Sequence, residues 1–188
     1  IGGRVIFGAE LLEPGVVKIT VYADRVLLGS LKHGVPLEKV KEVCRLFDEA
    51  GIPTTWTEDI EKHLWGKVLY NSALNPLSCL LEVSYGELLK NEHAKRIMND
   101  IIEELFTVIN RNKISVDWGT AAEYASHLFT QLIPPTRDHY SSMLQDIRHG
   151  KRTEIDALNG KVVALAEDLR CDLPVNRVLT ALVKAKRQ

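Results

Sequence analysis

The sequence predicts a mixed fold, the end of an α/β layer followed by an all-helical domain, and three observations predict it. After a Pro14-Gly15 turn, Val17, Ile19 and Val21 alternate with Lys18, Thr20 and Tyr22, the two-residue period of a strand. One helical stretch is set among such strands, too few strand–helix units for a complete doubly wound domain. Beyond residue 58 nearly every segment repeats its apolar residues at three- and four-residue steps.

Taken in order, Val5-Ile6-Phe7 and Val26-Leu27-Leu28 are expected as strands flanking the alternating segment. Pro36 opens a helix in which Leu37, Val40, Cys44 and Phe47 form the apolar stripe, and Gly51 follows as a stop. Ile52 to Trp56 returns to the sheet, and the domain boundary falls at about residue 58. The next helix is expected from Asp59 to Asn75, because Pro76 biases the residue before it out of helical geometry. His93 to Asn112 follows, with Ile97, Ile101, Leu105 and Val108 on one face. Thr120 to Leu132 is stopped by Pro134-Pro135. Thr136 caps a fourth helix ended by Gly150, and Thr153 a fifth with Ile155, Leu158, Val162 and Ala166 on its stripe. Pro174 suits the first turn of a sixth.

Composition narrows the function. At 188 residues and 45% hydrophobic content the chain can bury a real core. Twenty-four basic and twenty-five acidic residues leave a formal charge of -1, so no global field favours nucleic acid or an anionic membrane. No apolar run approaches the roughly 20 residues that cross a bilayer. The start, Ile1-Gly2-Gly3-Arg4, has neither Met nor the zones of a signal peptide and reads as a cut. Cys44, Cys79 and Cys171 form no C-x-x-C pair, which fits a reducing cytoplasm. The six histidines show no metal-ligand spacing, so no metal site is expected.

Two stretches carry polar groups out of proportion to their setting. Lys67, Asn71 and Asn75 stand at i, i+4 and i+8, so a cation and two amides share one helix face. Asn is a poor helix former, and this line reads either as a polar pocket or as a solvated face with a fraying end. The second stretch is Ser141-Ser142-Met143-Leu144-Gln145-Asp146, then Thr153-Glu154-Ile155-Asp156. Here Ser142 could be a surface hydroxyl and Glu154 a first-turn carboxylate favoured by the helix dipole.

Together these stretches resemble the ketopantoate reductase family. Trp65-Gly66-Lys67 with Asn71 and Asn75, the Ser141–Asp146 and Thr153–Asp156 segments, and the closing Pro174-x-Asn176 stand in its order and spacing, over essentially the whole chain. The resemblance implies that residues 1–58 are the end of a truncated Rossmann-type NADP-binding domain and 59–188 an all-helical substrate and catalytic domain. It implies NADPH-dependent reduction of 2-dehydropantoate to pantoate, in pantothenate biosynthesis. Lys67 matches the catalytic lysine that protonates the carbonyl oxygen as hydride arrives. Asn71 and Asn75 match substrate-holding amides and Ser142 a substrate-binding hydroxyl. Glu154 matches the catalytic acid that orients substrate and lysine, and is assigned a cofactor contact as well.

Elementary chemistry agrees with those residue types. A ketone accepting hydride develops alkoxide charge, and a cation aimed at that oxygen favours the transition state over the ground state. Neutral amides and a hydroxyl can fix a hydroxy-acid without repelling its carboxylate. The departure is the cofactor loop: no G-x-G-x-x-G joins a strand to a helix, and Gly2-Gly3 opens none. The isolated chain is therefore expected neither to hold NADPH tightly nor to turn over. The expected partners are a small 2-oxo acid and a second copy in a homodimer, the open sheet edge between residues 4 and 31 inviting such pairing. The rivals are a reductase of another 2-oxo acid and a non-catalytic helical dimerisation module.

Overall fold

The structure is a computed structural model that describes residues 1–22 and 24–186; for Glu10, Thr20, Val21, Tyr22 and His33 it describes the backbone alone. Most of the chain is helical, with a small amount of sheet. Contacts divide it into two compact units, Ile1–Lys67 and the residues from Val68 onward.

In the first unit β1 (Gly2–Arg4), β4 (Val26–Gly29) and β5 (Thr54–Thr57) form one sheet, while β2 (Phe7–Glu13) and β3 (Val16–Tyr22) form a separate hairpin around the Pro14-Gly15 turn. Gly15 has φ +84°, the left-handed region that a glycine enters without strain. β4 runs antiparallel to β1 and parallel to β5. A parallel pair needs a crossover, and α1 (Leu37–Glu49) supplies it, burying Val40 and Cys44 against Val26 and Leu28. Its stop is as expected, with Gly51 at φ +82°.

Two strand expectations need correction. Val26-Leu27-Leu28 does not flank the alternating segment; it pairs with β1 and β5. Val5 and Ile6 lie outside any strand, and the segment divides there between the two sheets. Alternation locates β3, yet its apolar side is uncovered, with Val17 59% and Ile19 64% exposed; the side chains of Val21 and Tyr22 lie outside the described residues.

The second unit begins inside α2 (Ile60–Leu81) and continues through α3 (Tyr85–Lys90), α4 (Glu92–Arg111), α5 (Ala121–His127), α6 (Ser142–Arg148), α7 (Asn159–Asp168) and α8 (Pro174–Lys186). α4 buries Ile101, Leu105 and Val108 with Met98 and Ile102, so its stripe is the one the sequence spacing implies, although Ile97 is only partly buried. Another core cluster joins Cys79 to Met143, Leu144, Ile155, Leu158 and Val183. All three cysteines are free thiols. The α5 segment passes into a π-helical turn at Leu128–Leu132, followed by a 3-10 turn at Pro134–Thr136.

α2 does not end at Asn75. It runs through Pro76 to Leu81, and the reason is a substitute donor. A proline has no N–H for the carbonyl four residues back, here that of Ser72. Asn159 Nδ2 donates to that carbonyl at 3.1 Å. The same amide group donates to Asn176 Oδ1 at 2.8 Å, and Asn176 Nδ2 donates to Glu104 Oε2 at 2.7 Å. Asn159 and Asn176 are both fully buried, so this ladder ties α2 to α7, α8 and α4 inside the core.

Both cap expectations also fail. Ser141, not Thr136, caps α6, accepting from Leu144 N at 3.1 Å. Thr136 ends the 3-10 turn, and its hydroxyl donates back to the Leu132 carbonyl at 3.0 Å. Thr153 does not cap α7 because a separate turn intervenes, closed by Leu158 N donating to Glu154 O at 3.1 Å. Leu158, at φ -101° and ψ -105°, then breaks the path, and α7 starts at Asn159. Ile155, Leu158, Val162 and Ala166 are nevertheless all buried.

Candidate active site

α2 carries Lys67, the last residue of the first unit, and Asn71 and Asn75, which belong to the second and stand one helical turn apart. Lys67 is exposed, and its Nζ donates to the Val5 carbonyl at 2.9 Å. An ammonium has three donors, and this bond takes one of them. Asn71 is partly buried, and its amide has no hydrogen-bond partner among the described residues.

Asn75 is 3% exposed, and each end of its side-chain amide makes one hydrogen bond. Its Nδ2 donates to Glu154 Oε1 at 3.2 Å, a contact between residues 79 positions apart in sequence. Its Oδ1 accepts from the Tyr85 hydroxyl at 2.7 Å. A carboxylate only accepts, so Glu154 must face the NH2 end, which leaves the carbonyl end for Tyr85. The structure therefore brings Asn75 and Glu154 together. Glu154 is itself exposed, at the head of the turn that precedes α7.

Ser142 is the first residue of α6 and is exposed. The hydroxyl beside it does the structural work: Ser141 Oγ donates to the Asn75 carbonyl at 3.3 Å, and Ser141 N donates to Ser78 Oγ at 3.2 Å. Ser142 is thus held at a helix start anchored on the backbone of Asn75.

Tyr85 is the residue that sequence reading missed. It is 3% exposed, and its ring meets Tyr70 edge-on at 5.9 Å and His139 at 5.2 Å. Burial first, and then the neighbouring Tyr70 and Glu154, drive its phenol far above the ordinary range, so it stays a neutral donor. Burial likewise raises Tyr70 and lowers His139. The signal available in the sequence was Ser84, which caps α3 by accepting from Glu87 N at 3.4 Å; it would have placed Tyr85 at a helix start, but not its orientation.

No group of three His, Cys, Asp or Glu side chains that could hold a metal occurs among the described residues. Nor, among them, is any helix long and apolar enough to cross a membrane. The early glycines do not form a cradle for a pyrophosphate. A Cβ on Gly29 would lie 2.5 Å from Ile60 Cβ and 2.8 Å from the Thr57 carbonyl, and one on Gly2 would meet Leu31 at 3.1 Å, so both positions serve close packing.

Comparison with known proteins identifies the chain's relatives. Residues 59–187 match the family model "Ketopantoate reductase PanE/ApbA C terminal". The 2-dehydropantoate 2-reductase of Aquifex aeolicus is 46% identical over 183 residues, which cover 97% of this chain and 59% of that protein. The crystal structure of a PanE/ApbA family ketopantoate reductase from Ralstonia eutropha JMP134 superposes with a TM-score of 0.83 at 29% identity, over 98% of this chain and 58% of that one. A ternary structure of D-mandelate dehydrogenase with NADH and anilino(oxo)acetate gives a TM-score of 0.81 at 30% identity, over 97% and 58%. The chain therefore spans about three-fifths of the length of the proteins it matches.

Proposed function

Since the chain belongs to the ketopantoate reductase family, in its C-terminal part, we propose that it is the substrate-binding and catalytic portion of an NADPH-dependent 2-dehydropantoate 2-reductase. On this reading residues 1–58 are the end of a Rossmann-type NADP-binding domain and 59–188 the all-helical substrate domain. The observation that carries it is the Asn75–Glu154 contact at 3.2 Å, which joins the two polar stretches of the sequence in one place.

The roles are those that the family likeness implies, and the chemistry of each residue type supports them. Lys67 holds one ammonium hydrogen on the Val5 carbonyl, and the two others remain to stabilise and protonate a carbonyl oxygen that turns into an alkoxide. Asn71 offers an amide to the hydroxyl end of a 2-oxo acid. Asn75 keeps a second Nδ2 hydrogen for a substrate oxygen after donating the first to Glu154. Ser142 presents its hydroxyl from the start of α6. Glu154 orients Asn75, the substrate and the lysine.

NADPH supplies the hydride. Gly2 and Gly29 are closed off by Leu31 and Ile60 and do not fit its pyrophosphate, and Glu154 is the residue of this chain that would meet its reactive end. Everything this chain contributes is orientation, charge and the proton.

The test is NADPH oxidation with ketopantoate by the full-length reductase carrying this chain. Lys67→Ala is expected to lower kcat by about 10²–10⁴-fold, the usual worth of a positioned proton donor. A kcat within threefold of wild type would end the proton-donor assignment. The likeness to D-mandelate dehydrogenase favours a second reading, reduction of another 2-oxo acid on the same site. A panel of 2-oxo acids decides between them by kcat/KM.

A further inference from the structure

We infer that Tyr85 is a positioning and specificity-determining residue, locking the Asn75 amide in the orientation that turns an N–H to the substrate. The inference rests on the proposed role of Asn75 in substrate binding. An asparagine can turn either end toward a ligand, and the two ends recognise opposite chemistry. Here the carbonyl end is taken by the Tyr85 hydroxyl at 2.7 Å, while one hydrogen of the NH2 end is taken by Glu154 at 3.2 Å. One hydrogen of the NH2 end remains for a ligand, while the carbonyl oxygen is turned toward the buried Tyr85 hydroxyl. A site so fixed takes an acceptor group, a carboxylate or carbonyl oxygen, and discriminates against a donor such as an amide NH2 or an amine at that position.

Tyr85 is built for this work. Its ring is buried and gripped edge-on by Tyr70 and His139, and its own backbone N–H donates to the His139 carbonyl at 3.0 Å. Position and direction of the hydroxyl are therefore set before any ligand arrives. Glu154 is exposed and by itself a looser restraint. With Tyr85 opposing a flip from the buried side, the amide is held at both ends.

The experiment is a double-mutant cycle of Tyr85→Phe and Asn75→Ala in the full-length reductase, reading KM and kcat separately for ketopantoate. Tyr85→Phe keeps the ring and its stacking. The expected result is a KM about tenfold higher with kcat changed less than threefold, and no further rise in KM when Tyr85→Phe is added to Asn75→Ala. Additive effects of the two changes on KM would overturn the inference, because a general packing role does not act through Asn75. If Asn75→Ala raises KM and Tyr85→Phe leaves it unchanged, the Tyr85 inference falls while the substrate-site reading stands. If Asn75→Ala itself leaves KM unchanged, both fall. A readout independent of turnover is the side-chain amide NMR signal of Asn75, assigned by its loss in Asn75→Ala. Its two protons are expected to exchange with solvent about tenfold faster in Tyr85→Phe, and unchanged exchange would also overturn the lock.

Discussion

Two adjacent serines illustrate how neighbouring residues divide structural and chemical work. Ser141 is fully buried and caps α6, whereas Ser142 is exposed beside it. Ser141→Ala is expected to destabilise the protein by about 1–2 kcal/mol in urea melts, because a cap and a buried bond to Asn75 are lost together. Ser142→Ala should leave the melt within about 0.5 kcal/mol of wild type and act on substrate KM instead. The Ser-Ser pair was legible as polar, but which serine faces inward was not. Both positions tolerate the same residue, and only the packing of α6 on α2 separates them.

His139 adds a pH dependence. Its burial favours the neutral ring and lowers its pKa below the ordinary value near 6.5. The unfolded chain therefore takes up a proton before the folded one does as pH falls. The stability associated with neutral His139 is fully present above pH ~6.5 and is lost from there down to the lowered folded value. Urea melts between pH 7.5 and pH 5 should show a steeper loss for wild type than for His139→Gln, and equal slopes would exclude this origin.

Among the elements, α2 departs furthest from its sequence expectation. Lys67, Asn71 and Asn75 were legible because helical spacing is local, but Pro76 is a local breaker that a distant residue overrides. No pattern around residue 76 announces that Asn159 supplies the missing donor. The consequence is measurable. Asn159→Ala leaves the Ser72 carbonyl and Asn176 Oδ1 without that donor and should cost about 3 kcal/mol. Adding Pro76→Ala restores an N–H to Ser72, so the penalty of Asn159→Ala should shrink by about 1–2 kcal/mol in that background. Additivity would mean that the bond to the Ser72 carbonyl contributes nothing to the penalty. The missed α3 has a similar cause: six residues are too few for periodicity to register.

For the whole molecule, the mostly helical architecture was legible from length and period, since the second part of the chain repeats at helical steps almost throughout. The pairing of the strands was not, because alternation gives a strand its faces and says nothing of its neighbours. β2 and β3 pair only with each other among the described residues, and Leu11, Val17 and Ile19 are each more than half exposed. Such a ribbon is adhesive in water. Light scattering of the isolated chain should show self-association that rises with concentration and falls in a Leu11→Lys, Ile19→Lys double variant; an unchanged profile would locate the association elsewhere.

The substitute donor at Ser72 also has a history written into it. A proline at position 76 and an asparagine at position 159 are a matched pair, and the asparagine is costly to lose while the proline stays. A lineage that first lost Asn159 would pass through a weakened protein, while one that first lost Pro76 would find Asn159 less constrained, held by its bond to Asn176 alone. The order of mutation is thereby constrained, and sequences of this family should carry the two residues together or shed the proline first.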